Sequence, residues 1–394
     1  MATPSQESVA LQLSDAEREH CQATHDFIAS IIQQQGAISF QKWMHYALYQ
    51  PHLGYYDSPK IKLAGSHHNV SSPQPSGDFV TAPELSPWFG RTLALQIAQV
   101  LEQVESPQIL EFGAGSGKLA HSILQSLNRA DLKYYILEVS ADLKALQQET
   151  LKEYADQVIW LSQLPEQFSG CMLANEVLDA MPVRLVERQA DGAITEKYVS
   201  LDTHHRFIWQ EQRLNADELP IGIERLPQTH PYCSEFNDQG RAWITQLAQI
   251  LRQGAILLID YGFPADEYYL PQRQQGTLIC HLHHQAHDDV LSYPGVQDIT
   301  AHVDFTAIAE SAHAQGLEIL GYTSQANFLI NCGILQLLSQ LDPQDIAHYA
   351  SQVGPVQKLL SEAEMGELFK AMLLGKGLDM DPLGFSRGDR RHQL

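Results

Sequence analysis

Two rhythms of hydrophobic positions divide the chain. Across 14–49, Phe27, Ile28, Ile31, Ile32, Phe40, Trp43, Met44 and Leu48 recur at helical spacing, with a break near Gly36, which predicts two helices. Phe89, Leu93, Leu95, Ile97, Val100 and Leu101 cluster about one face and predict another over 88–104. The stretch between, 57–78, is rich in Ser, Pro, Gly and His, has no period and reads as a loop. Beyond 107 the rhythm changes. Short apolar runs alternate with amphipathic stretches: QILEFGAGSG, a helix from Lys118, YYILEVS, a helix from Ala141, VIWL, CMLANEVLDA and later GAILLIDYG. Runs that are apolar without alternation suit parallel strands covered on both faces, so the expected class is α/β. RLVERQADGAITEKYVSL carries a hairpin signal with Asp191 and Gly192 at its turn and reads as an insertion. The segment 285–298 is polar and loop-like, and from Phe305 helical patterns return, broken at Gly316, Gly333 and Gly354.

Composition narrows the class. The 394 residues are 44% hydrophobic and 18% charged, a globular balance with enough chain for two or three units. A formal net charge of -22 disfavours a surface that tracks phosphates, so nucleic acid is not an expected partner. Cys21, Cys171, Cys233, Cys280 and Cys332 are scattered, odd in number and free of any CxxC pair, which points to reduced thiols. The opening MATPSQESVALQLSDAEREH shows neither an apolar signal core nor an Arg-rich amphipathic pattern, and no apolar run reaches the ~20 residues of a membrane span. The expectation is a cytoplasmic protein.

The chemistry gathers at strand ends. Gly113, Gly115 and Gly117 follow a strand and lead into a helix, where a side chain would block close backbone approach to a ligand. Their GxGxG spacing departs from the GxGxxG of dinucleotide sites, whose third glycine serves helix packing beside a pyrophosphate. Glu111 would sit poorly beside phosphates but well beside the ammonium or sulfonium of S-adenosylmethionine. Glu138, near the end of the next strand, stands where an acid takes ribose hydroxyls. Asn175 and Glu176 close a further strand, and Asp179 follows within one helical turn. His302 in QDITAHVDF is a candidate proton acceptor, because an unperturbed imidazole titrates near neutrality.

Five segments in order, GDFVTAPELSPWFGR, ILEFGAGSGKLA, ANEVLDAMPVRLV, GTLICHLHH and QDITAHVDF, resemble the MidA family. These are class I S-adenosylmethionine-dependent methyltransferases whose mitochondrial members act as protein arginine methyltransferases in assembly of respiratory complex I. ALYQPHLGYYDS fits as well, and GYTSQANFLINCGI more weakly. The resemblance implies a Rossmann-like core (77–182 plus 241–330) preceded by helices and a loop (1–76), interrupted by a hairpin-containing insertion (183–240) and followed by a helical portion (331–394). It implies that Gly113, Gly115, Gly117 and Glu138 hold S-adenosyl-L-methionine with Asn175 and Glu176 beside it. Gly77, Asp78 and residues 81–84, Thr81 and Glu84 among them, would close over it. The partner it implies is a protein substrate, with a respiratory-complex subunit as one candidate.

For an arginine acceptor the expected roles are Glu176 gripping the guanidinium, Asp179 or Asp78 assisting, and His302 taking a proton. A small-molecule methyltransferase, a cofactor-binding assembly chaperone without turnover and a nicotinamide oxidoreductase stand as rivals. His281, His283, His284, His287 and Asp288 have spacings that zinc could use, but methyl transfer needs no metal and none is expected. His67 and His68 are read as part of a lid. A homodimer through the edge of the inserted β segment is a further expectation.

Overall fold

The computed structural model describes residues 13–57, 81–228, 231–283 and 285–394, which group into two compact units. The first comprises Met1–Phe79, Glu196–Gln212 and Leu278–Thr300. Its long helix, Asp15–Gln35, begins in a capping box: the Ser14 hydroxyl accepts from the Glu17 backbone N–H while the Glu17 carboxylate accepts from Ser14. Gly36 ends it at φ 81°, where the sequence predicts the break, and a second helix runs Phe40–Tyr49. The strand Ile279–Leu282 lies between the antiparallel strands Gln285–His287 and Asp298–Thr300. The polar 285–298 segment, read as loop, thus contributes short strand pairings. The alternation rule misses elements of three residues.

The second unit comprises Val80–Thr195, Arg213–Thr277 and Ala301–Leu394. Its sheet is built from β1 (Gln108–Phe112), β2 (Lys133–Leu137), β3 (Val158–Leu161), β4 (Phe168–Asn175), β5 (Leu251–Phe263), β6 (Glu318–Ser324) and β7 (Phe369–Lys376). The spatial order is β6-β7-β5-β4-β1-β2-β3. β3, β2, β1, β4 and β5 are parallel, and β7 is antiparallel to both β5 and β6. Alternate residues serve two apolar layers. Ile109, Leu173, Leu257 and Leu373 face the helices Pro87–Leu101 and Lys118–Leu127, while Leu110, Met172, Leu258 and Leu374 face Asp238–Ile250 and Phe305–Ala314. Burial on both faces explains why these strands read as continuous apolar runs. Asp191 and Gly192 form the expected tight turn, with Gly192 at φ 83°.

The C-terminal region departs from the helical expectation. Helices Ile334–Leu338 and Ile346–Leu360 are present, yet Phe369–Lys376 is an interior strand, buried over all but its last residue. FKAMLLGK is short and apolar, and such a run reads equally as buried helix or strand. The parallel order reverses direction between β1, which leads outward through β2, and β4 on its other side; α/β sheets bind ligands outside the carboxyl ends at such a point.

Because Leu373 is fully buried and paired with Leu257 and Gly321, Leu373→Ala should lower stability by about 2–5 kcal/mol. The check is the midpoint of urea unfolding. A shift within error of wild type would place β7 outside the core.

Candidate functional site

At the reversal point the turn after β1 carries Gly113, Gly115 and Gly117 at φ 65°, 53° and 84°, a left-handed region that disfavours side chains. A Cβ at Gly115 would meet nothing within 4 Å, so the turn opens onto free space there. The short helix Ala82–Leu85 joins the same turn. Its Glu84 carboxylate accepts from the Ser116 hydroxyl and from Lys118 Nζ, and Thr81 is its N-cap residue. Gly77 and Asp78 lie outside the described residues.

Glu138 directly follows β2 and is half-buried. One carboxylate oxygen accepts from the Ser140 backbone N–H at 2.9 Å and the other from Gln147 Nε2 at 2.9 Å. Val139 beside it is 84% exposed and offers an apolar surface at the same strand end. Glu111 lies deeper. It shares the face of Ile109, is only 2% exposed and accepts from the Tyr134 hydroxyl at 2.9 Å, so its carboxyl is held against the neighbouring strand in the buried layer. Burial, only partly offset by that hydrogen bond, pushes its pKa up to about 7.

After β4 the chain gathers carboxyl groups. Asn175 Nδ2 donates to Glu176 Oε1 at 2.9 Å, and the Ala82 backbone N–H reaches the same oxygen at 3.4 Å. Asn175 is 8% exposed, and its Oδ1 has no hydrogen-bond partner among the described residues. Glu176 adopts φ 53°, which costs a non-glycine residue about 1–2 kcal/mol. What holds the turn is Asp260, buried near the end of β5: its Oδ2 accepts from the backbone N–H groups of Val177, Leu178 and Asp179 at 3.1, 2.9 and 3.3 Å. Burial, with the Asp179 and Glu176 carboxyls, drives the proton affinity of Asp260 well above the carboxylate range, while the backbone donors pull the other way. Asp179 is buried in this group, and its carbonyl accepts from the Ala301 N–H.

His302 follows directly. Its ring stacks on Phe263 and meets Tyr261 edge-on, and Nδ1 has no partner among the described residues. Burial, then the positive Arg273 and Lys370, lower its pKa to about 4, far from the neutral titration that the sequence reading assumed.

Three residues of this site escaped sequence reasoning. Asp260 was legible only as the single charge within GAILLIDYG. Gln147 occupies the Leu143-Gln147-Leu151 stripe, where a polar residue interrupts an apolar spacing of four, and Trp160 donates from Nε1 to Gln147 Oε1. Among the described residues no group of three or more His, Cys, Asp or Glu gathers as metal ligands. In the first unit His283 Nε2 lies 2.7 Å from Glu17, while His67, His68 and His284 are outside the described residues. No helix of the described residues is long and apolar enough to cross a membrane.

Comparison with known proteins adds independent findings. The family described as "Putative S-adenosyl-L-methionine-dependent methyltransferase" matches residues 92–323. A crystal structure from Burkholderia thailandensis bound to S-adenosyl-homocysteine is 41% identical, covers 98% of this chain and 100% of its own, and superposes with a TM-score of 0.89. A second structure from that organism, of an uncharacterized protein, is 42% identical over 98% of this chain and 100% of its own, with a TM-score of 0.87. The Danio rerio mitochondrial protein arginine methyltransferase NDUFAF7 is 28% identical over 87% of this chain and 84% of its own length. Its Drosophila melanogaster homolog is 26% identical over 95% and 90%.

Glu111 makes stability pH-dependent. Its folded pKa of about 7 exceeds the reference 4.5, so its stabilising share is complete below 4.5 and lost as pH rises through 7. Glu111→Gln, which stays neutral, should be more stable than wild type at pH 8 by up to about 3 kcal/mol and equal to it near pH 4. Parallel urea titrations at the two pH values test this, and a variant less stable than wild type at pH 8 would refute it.

Proposed function

Because the chain belongs to this family of S-adenosyl-L-methionine-dependent methyltransferases, we propose that it methylates an arginine side chain of a protein substrate. The observation that carries this reading is the convergence of Glu176, Asp179 and Asp260 at the strand ends where the order reverses. Crowded carboxyls favour a cationic acceptor over a neutral one. The relatives named as protein arginine methyltransferases support the same choice.

The cofactor fits the residues present. The free space beside Gly115 admits close backbone approach, Glu138 accepts ribose hydroxyls, and the buried Asn175 Oδ1 supplies an acceptor that has no donor among the described residues. The Thr81–Glu84 turn borders the same space through Ser116 and Lys118. S-adenosyl-L-methionine supplies an electrophilic methyl group on a sulfonium. Glu176 and Asp179 then act on the acceptor. A guanidinium is delocalised and permanently charged, and a carboxylate grip localises its charge on the gripped nitrogens, which leaves the reacting nitrogen more nucleophilic. Holding that nitrogen in line contributes up to ~7–11 kcal/mol of barrier lowering.

The reaction releases one proton. His302 is neutral at physiological pH, and with a pKa of about 4 it passes any proton it accepts to water. We assign the relay to its Nδ1, which has no partner among the described residues. Five free cysteines support a reducing compartment, the cytoplasm in this reading. Within the class of protein arginines, a respiratory-complex subunit is the first target to try.

Two variants separate binding from transfer. Gly115→Val forces a β-branched side chain into a left-handed position and fills the adjacent space, so calorimetry should show S-adenosyl-homocysteine binding lost in a folded protein. Glu176→Gln should bind S-adenosyl-homocysteine within about threefold of wild type while labelled methyl transfer to arginine falls by roughly 10²–10³. Transfer at the wild-type rate by Glu176→Gln would remove it from the mechanism.

A further inference from the structure

We propose that Gln147 is a positioning residue of the cofactor site, acting through Glu138 and the glycine turn to orient the carboxylate that receives the ribose. The inference rests on the reading of Glu138 as the ribose acceptor.

Gln147 is completely buried on the helix Ala141–Thr150. A buried amide needs partners for its two N–H bonds and its carbonyl, and this one finds all three. Nε2 donates to the Gly115 carbonyl at 3.0 Å and to Glu138 Oε2 at 2.9 Å, while Oε1 accepts from Trp160 Nε1 at 2.9 Å. The arrangement has only one sense. An indole N–H can only donate, so the amide oxygen must face Trp160, and the NH₂ group must then face two acceptors. Trp160 on β3 thereby sets the amide, and the amide ties the carbonyl of the glycine turn to the carboxylate at the end of β2.

The consequence for Glu138 is directional. The Ser140 N–H engages one oxygen and Gln147 the other, which fixes the plane of the carboxylate. Each oxygen retains acceptor capacity for one further donor, the number that a vicinal diol supplies. Without Gln147 one oxygen loses its anchor, and the carboxylate must be ordered at the moment of binding. The preference for a ribose over a sugar lacking its hydroxyls should then shrink.

The test compares S-adenosyl-homocysteine with its 2′,3′-dideoxy analogue by calorimetry on wild type, Gln147→Leu and Trp160→Phe. Wild type should prefer the ribose form by roughly a hundredfold, as expected for two hydrogen bonds to a carboxylate. Gln147→Leu should reduce that ratio to about tenfold or less, since the carboxylate is no longer held for both hydroxyls. Trp160→Phe, which removes only the donor that orients the amide, should shift the ratio in the same direction by less, and it serves if the leucine variant fails to fold. A variant that binds both ligands more weakly but keeps the wild-type ratio would show a purely structural role and overturn the proposal. Equal binding of the two ligands by wild type would overturn the ribose reading of Glu138 and this inference with it.

Discussion

The constraint on which the structure depends is that its central strands are buried on both faces. A polar group placed within such a sheet must find partners or remain neutral, because unpaired charge is costly away from water. The chain therefore concentrates its chemistry where the strands stop. Reversal of strand order between β1 and β4 leaves room at that edge, and the glycine turn, Glu138 and the Asn175-Glu176 pair all emerge there. Two acids lie just inside the boundary, and each shows how the constraint is met. Burial raises the pKa of both: Glu111 is met by one hydrogen-bonding hydroxyl, and Asp260 by several backbone N–H donors that offset only part of the cost.

Asp260 also explains how a strained backbone persists. Glu176 sits in a left-handed conformation with no glycine to ease it, and one carboxylate oxygen from the neighbouring strand gathers the three N–H groups that follow. Strain of this kind survives when the surrounding structure over-determines it. The result is an acidic edge carried by two adjacent parallel strands, a more rigid support for side chains than a free loop.

Much of this was legible from the amino-acid order, because parallel strands and glycine turns leave local signals. The apolar runs at 108–112, 133–137 and 168–175 are strands, and the three glycines form the turn that follows the first of them, with left-handed torsions. Other features carry no local signature. FKAMLLGK is a strand only because β5 and β6 flank it, a pairing across more than a hundred residues with β5. Asp260 looked like the end of an apolar strand, and its partners lie about eighty positions earlier. Gln147 gains meaning only when β1, β2 and β3 align Gly115, Glu138 and Trp160 around it. The pKa of His302 likewise depends on Arg273 and Lys370, residues that no motif near QDITAHVDF contains.

The place of β7 has a consequence for biosynthesis. β5 is complete at residue 263 and β6 at residue 324, yet the strand that joins them runs Phe369–Lys376. While the ribosome adds the intervening helices, the backbone N–H and C=O groups on one side of the apolar strand β5 lack their final partners, the kind of edge on which nascent chains associate wrongly. The sheet thus closes only when almost all of these 394 residues have been translated. Until that strand arrives, the side of β5 that it will cover is open to pairing with another chain.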